Sequence, residues 1–222
     1  MRQNSIKGIN KKLMKPKNGL LIKKKVLDIF LSLLIIVIIS PILILMSLIV
    51  FIVDGKPIMF KQDRVGINEE IFKVYKFRTM KRINEQQKEN NYDYEWEEGV
   101  PSSFVFKSSS SNPNITKSGY FMRKYSIDEL PQFFNVLKGE MSIVGPRPEI
   151  PDLTKYYNHY QKQRLLVKPG ITGLAQVRGR SEISHGEKIE YDLEYIRNMN
   201  IKRDLRIVYS TIIQAIFGKG SF

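Results

Sequence analysis

Residues 26–53 read VLDIFLSLLIIVIISPILILMSLIVFIV, and the way this run is housed decides the fold. Apart from Ser32, Ser40 and Ser47 it is apolar, with Asp28 at one edge and Asp54 just past the other. As one straight helix it would be roughly 42 Å long, more than the ~30 Å of hydrocarbon that a span requires. It is too long for the apolar core of a signal peptide, and no small-residue cleavage site follows it. Near its centre stand Ser40 and Pro41. Proline removes one backbone donor and clashes with the preceding turn, so a kink or reversal is expected there. Ser40 can return its hydroxyl to a freed carbonyl, the usual remedy for a break inside lipid. Each half, about 13 residues and roughly 20 Å, is too short to cross alone.

The flanks extend this reading. Lys23, Lys24 and Lys25 precede the run, residues 1–25 contain no acid, and Lys56, Lys61 and Arg64 follow. Both flanks are basic, which places both on the cytoplasmic side. A helix that enters, reverses at Ser40-Pro41 and leaves by the same face satisfies both; a proline-kinked transmembrane helix is the alternative. The chain then divides into a basic tail at 1–25, a re-entrant membrane helix at 26–53 and a catalytic domain at 54–222.

The bulk composition is consistent with that division. The 222 residues carry a formal net charge of +14, a field that favours nucleic acid, anionic lipid or phosphorylated substrates. The membrane segment favours the last two, and no helix-turn-helix, zinc-finger or RNA-binding signature is present. There is no cysteine, which excludes disulfides, thiolate metal sites and thiol nucleophiles.

The expected fold class is α/β, mostly helical with a small β-hairpin. Strands are predicted at Ile58–Val65 and Glu70–Thr79, joined by a turn around Gly66-Ile67-Asn68. Polar residues 81–118 read as a variable loop. Helices are predicted at 127–138, 151–166, 186–199 and 203–217. The last places Leu205, Val208, Ile212, Ala215 and Ile216 on one face, as a core helix or one lying on a membrane.

The chemistry is concentrated in RKYSIDELPQFFNVLKGEMSIVGPRPE, Arg123 to Glu149. Ser126 to Glu129 has the S-x-x-E form of a capping box, and Ile127, Leu130, Phe134 and Leu137 recur at helical spacing. Asp128 and Glu129 would then occupy a first helical turn, where free N–H groups favour negative charge. Most such acids are only caps, so the company of this pair decides its weight. An ionised carboxylate there can attack a phosphoryl group, and its neighbour can hold a divalent cation, usually Mg²⁺ where phosphates supply other ligands. Arg123, and Arg147 in the stiff loop Gly145-Pro146-Arg147-Pro148, can clamp phosphate oxygens. Residues 168–180, KPGITGLAQVRGR, add glycines and Arg180, suited to a diphosphate. His159 and His185 have no ligand partner at useful spacing and read as surface residues.

Taken together, Ser40-Pro41, FKQDRVG at 60–66, YKFRTM at 75–80, SIDELPQFFNVLKGEMSIVGPRP at 126–148, KPGITGLAQVRGR at 168–180 and YDLEYI at 191–196 resemble the bacterial sugar transferases, the monotopic phosphoglycosyl transferases. The resemblance runs from about Lys24 to the C-terminus. It implies a re-entrant helix in the bacterial inner membrane and a catalytic domain on its cytoplasmic face. It implies that Asp128 attacks a UDP-sugar, releases UMP, and passes the sugar phosphate to polyprenyl phosphate, usually undecaprenyl phosphate. It further implies Glu129 as the Mg²⁺ ligand, phosphate or nucleotide contacts for Arg123, Arg147 and Arg180, compatibility with a homodimer, and a chain that is the minimal catalytic form. Asp192 matches a recurrent acid of the family, expected to hold an arginine or a helix end. Two positions depart from the common pattern: Leu174 stands where many relatives have tryptophan, and Asn112-Pro113-Asn114 where many have D-P-R. The competing reading is a non-catalytic membrane-attached binding or scaffold protein.

Overall fold

A computed structural model describes residues 18–81, 96–105, 112–179 and 183–217. The basic tail up to residue 17, parts of the 81–118 loop and Arg180 lie outside the described residues. The chain opens with helix α1, Asn18–Asp54, among the described residues the one helix long and apolar enough to cross a membrane. Pro41 lies inside it, and the helix is continuous there. The carbonyl that Pro41 leaves without a helical donor is that of Val37, four residues back. Ser40 Oγ donates to that carbonyl at 2.8 Å, so the missing bond is replaced from within the helix.

Both ends of α1 are tied to the rest of the molecule. On its N-terminal part, Lys24, Asp28 and Ser32 are spaced one turn apart and are all buried. Lys24 Nζ lies 2.6 Å from Asp204 Oδ2, and Asp28 accepts hydrogen bonds from Ser142 Oγ (2.6 Å) and the Ile143 amide (3.4 Å). On its C-terminal part, Met46 and Val50 pack with Phe77 and Met122 in a small core cluster. Arg78 then caps the helix end: its guanidinium donates to the carbonyls of Asp54, Gly55 and Lys56, cation against the negative pole of the helix. Asp54 in turn accepts from Thr116 and Ser118 hydroxyls.

Strands β1 (Met59–Val65) and β2 (Ile71–Phe77) form the expected hairpin, with Met59 opposite Phe77 and Val65 opposite Ile71. The part of the 81–118 loop that is described does not hang free. Trp96 meets Phe104 and Tyr156 edge-on at 5.1 and 5.6 Å, and the Gln161 amide grips both backbone groups of Val100.

Helix α2 (Lys117–Lys124) is followed by Tyr125 and Ser126, and Ser126 takes a left-handed conformation at φ 56° that turns the chain into a 3₁₀ turn, Ile127–Glu129. Helix α3 (Gln132–Leu137) follows Pro131. The predicted helix 127–138 is therefore two pieces, and Ser126 makes no side-chain cap. Strand β3 (Ser142–Val144) pairs in parallel with β4 (Gly170–Thr172), a second small sheet that was not anticipated. Three-residue strands carry too little alternation to be seen in a sequence.

The predicted helix 151–166 is divided into α4 (Pro151–Thr154), α5 (His159–Lys162) and a 3₁₀ turn at Gln163–Leu166. Asn158 starts α5 with a full capping box, so the chain begins a new helix where the apolar spacing suggested a continuing one. Helix α6 (Leu174–Arg178) precedes α7 (His185–Arg197) and α8 (Ile201–Ile216), both close to prediction. On α8 only Ile207 is buried, whereas Leu205, Tyr209, Ile212 and Ile216 are exposed, so it is not a core helix. His185 is corrected from surface to core: it is 2% exposed, against Tyr157 and Phe104.

Candidate active site

The site is built where β2, α2, the 127–129 turn and the loop after β3 converge. Asp128 and Glu129 are both buried on that turn. Their negative charge is balanced by side chains from other elements. Lys76 Nζ of β2 and Arg147 Nη2 donate to Glu129 Oε1 at 2.7 and 2.9 Å. Glu129 Oε1 thus accepts from two cations, while the Ser126 amide donates to the Arg123 carbonyl at 3.2 Å in place of the expected Glu129 cap. Although burial alone would raise the pKa of Glu129, Arg147 and Lys76 outweigh it and hold the group well below the usual carboxylate range. Asp128 behaves oppositely. Burial, then the charge of Glu129, push it up to about 6, against the pull of Lys76, Arg123 and Arg147. Its Oδ1 is buried without a hydrogen-bond partner. Two adjacent carboxyls therefore differ in role: one is a fixed anion, the other an unsatisfied and more basic oxygen.

Arg147 reaches Glu129 because its loop is held from behind. Arg164, with a side chain 2% exposed, donates to the Arg147 carbonyl at 3.0 Å, to Glu149 Oε1 at 2.9 Å and to the Tyr157 hydroxyl at 2.8 Å. It also pairs with Asp192 at 2.7 Å, the arginine-holding role foreseen for that acid. From the other side Arg64 Nη1 donates to the Pro148 carbonyl at 3.1 Å, and burial followed by the nearby Arg147 lowers its pKa to about 10. The Val65 amide bonds the Glu149 carbonyl, so the hairpin itself braces the loop.

Of the residues singled out from sequence, Asp128, Glu129, Arg123 and Arg147 come together. Arg123 donates from Nε to Thr79 Oγ1 at 3.0 Å. This packing depends on Gly119, where a Cβ would sit 2.2 Å from the Thr79 carbonyl oxygen. The 168–179 stretch is placed differently from expectation. Its glycines serve loop-to-loop contact: a Cβ on Gly170 would stand 2.1 Å from the Gly145 nitrogen, and one on Gly173 would stand 2.1 Å from the Gly145 oxygen. Leu174 is buried in the core. Lys76, Arg64 and Arg164 were present inside quoted motifs or a predicted helix but had been given no role. A lysine in a strand gives no sequence signal for a partner 53 residues away.

A long apolar helix beside a buried carboxylate pair ringed by cations is chemistry suited to phosphorylated ligands. Comparison with known proteins narrows this: the bacterial sugar transferase family model matches residues 20–218, and the chain belongs to that family. It is 46% identical over 169 residues to "Galactosyl transferase CpsE" of Streptococcus agalactiae, covering 76% of this chain and 36% of the relative. It is 39% identical over 207 residues to the "UDP-glucose:undecaprenyl-phosphate glucose-1-phosphate transferase" of Escherichia coli, covering 90% and 41%. With "Exopolysaccharide production protein ExoY" of Sinorhizobium fredii the identity is 35%, covering 90% and 88%. The chain therefore spans less than half the length of the first two and most of the third.

Proposed function

We propose that this chain transfers a sugar 1-phosphate from a UDP-sugar to polyprenyl phosphate, with undecaprenyl phosphate as the acceptor, at the cytoplasmic face of the bacterial inner membrane. The observation that carries the reading is the buried, unpartnered Oδ1 of Asp128 within a ring of cations. Asp128 Oδ1 attacks the β-phosphorus of the donor. The Asp–phosphorus bond forms, the bond to the bridging oxygen breaks, and UMP leaves with the electron pair. A phosphate oxygen of the acceptor then attacks the same phosphorus and displaces the carboxylate, giving a polyprenyl diphosphate sugar and regenerating Asp128. Arg123 and Arg147 hold phosphate oxygens, and Lys76 keeps Glu129 ionised. Names of relatives support the donor and acceptor classes, and ExoY the link to exopolysaccharide synthesis.

The carboxylates fit a divalent cation of the Mg²⁺ type. An orphaned oxygen faces the site, and among the described residues no third His, Cys, Asp or Glu joins the pair, so substrate phosphates must complete the ligand set. Held by Glu129, Mg²⁺ would neutralise charge developing on the transferred phosphoryl group.

Re-entry of α1 belongs to the same reading. Lys24 and Asp28 near one end and Asp54 at the other bond to one folded body, an arrangement that supports having both ends on one side of the bilayer that the apolar middle enters. The test of the reaction is UMP release by the purified protein with Mg²⁺, undecaprenyl phosphate and a panel of UDP-sugars. One sugar is expected to release UMP, and Asp128→Asn to reduce the rate by at least about a thousandfold. Equal rates for the two proteins would favour the scaffold reading.

A further inference from the structure

We propose that the apolar groove between α1 and the segment following the carboxylate turn seats the phosphate-proximal isoprene units of the acceptor; the inference rests on the transfer reaction proposed above. The groove encloses about 600 Å³ and is lined by Leu43 and Ser47 of α1, Met59 and Phe77 of the hairpin, and Pro131 and Phe134 beside α3.

Its chemistry selects hydrocarbon. The two serines in its wall have turned their hydroxyls back into the helix, Ser40 to the Val37 carbonyl at 2.8 Å and Ser47 to the Leu43 carbonyl at 2.7 Å. A sugar or nucleotide placed there would lose its hydration without finding donors, at a cost of several kcal/mol. Lys56 is the single cation among the lining residues; it is exposed, with its Nζ 5.9 Å from the Phe51 ring centroid. An amphiphile with one anionic head and an apolar tail matches that distribution.

Its position selects which amphiphile. Groove and carboxylate site share a wall. Lys76 and Phe77 are consecutive on β2, and consecutive strand side chains point to opposite faces. Lys76 reaches Glu129, while Phe77 lines the groove. On the other side Glu129 and Pro131 stand two residues apart and divide in the same way. The outer flank of α1 (Val37, Ile38 and Ile52) is more than 60% exposed and apolar, so the groove is reached from lipid without crossing water. A chain seated here carries its phosphate toward the carboxylates; a bilayer lipid would gain nothing from that proximity.

The test separates the two halves of the reaction, using the full chain in lipid nanodiscs. UMP released from the donor without acceptor reports the first half, and the KM for undecaprenyl phosphate reports the second. Leu43→Trp and Ser47→Phe fill the groove and are expected to leave the first half unchanged while raising the acceptor KM by about tenfold or more. Ile38→Trp, an equal bulk on the outer flank, should change neither. An unchanged acceptor KM in both filled variants overturns the inference and leaves the transfer reading standing; no UMP from the wild type overturns both. Independently of how the variants fold, an undecaprenyl phosphate bearing a diazirine on its first isoprene unit should crosslink wild-type residues 43–48 and Met59. Crosslinks confined to the outer flank around Ile38 would also overturn it.

Discussion

Asp128 and Glu129 are neighbours with opposite electrostatics because their partners come from different elements. Glu129 meets Lys76 and Arg147 directly, whereas Asp128 feels burial and the charge of Glu129 first and the cations second. As the attacking group must be ionised, its raised pKa of about 6 has a defined sign. UMP formation in the first half-reaction is expected to hold above pH 6 and fall about tenfold per unit below it, as protonation removes the nucleophile. A stopped-flow pH profile checks this, and a flat profile down to pH 5 would contradict it. Arg164 offers a second test at this scale. Arg164→Ala strands Asp192 and Glu149 in the interior, a loss of roughly 3–5 kcal/mol. Lys162→Ala removes only the exposed pair with Glu69, worth about 0–1 kcal/mol. Thermal melts of the two variants should differ accordingly.

At the scale of elements, α1 shows how a long helix can be both apolar and addressed. Its outer residues are exposed and apolar, yet Lys24, Asp28 and Ser32 mark one stripe that meets Asp204, Ser142 and Ile143. The carboxylate of Asp28 at the edge of an apolar run signals that contact, but nothing local names Ser142 as its partner. If both ends of α1 face the cytoplasm, single cysteines at Lys23 and Lys56 will be labelled by an impermeant maleimide only from inverted vesicles. Labelling from opposite sides would establish a span. The carboxylate turn carries the complementary lesson. The S-x-x-E pattern predicted a capping box, and Glu129 instead pairs with two cations because a charge-assisted bond in a buried site is stronger than a cap in competition with water.

For the whole molecule, α1 is an integral part of the fold. Met46 and Val50 supply half of the cluster that contains Phe77 and Met122, while Leu20, Leu21 and Leu31 pack on the main core. Deleting residues 1–54 would expose those partners and take away the Asp54 carbonyl, one of the three that Arg78 caps. The truncated chain should therefore aggregate even in detergent, as size-exclusion chromatography would show; a monodisperse product would refute this.

The sequence by itself determined the apolar helix, the hairpin, α7 and α8, and singled out Asp128, Glu129, Arg123 and Arg147, which the fold brings together. Each of those signals is local: a hydropathy run, a strand period, a helical period, or an ordered motif. Tertiary structure decided the rest. It placed Lys76 and Arg164 in the site and its support, buried His185, broke the helix predicted at 151–166, and turned Gly170 and Gly173 toward Gly145. Those outcomes depend on which distant side chains satisfy a buried charge or allow two backbones to touch, and such pairings acquire their energy only when the elements meet.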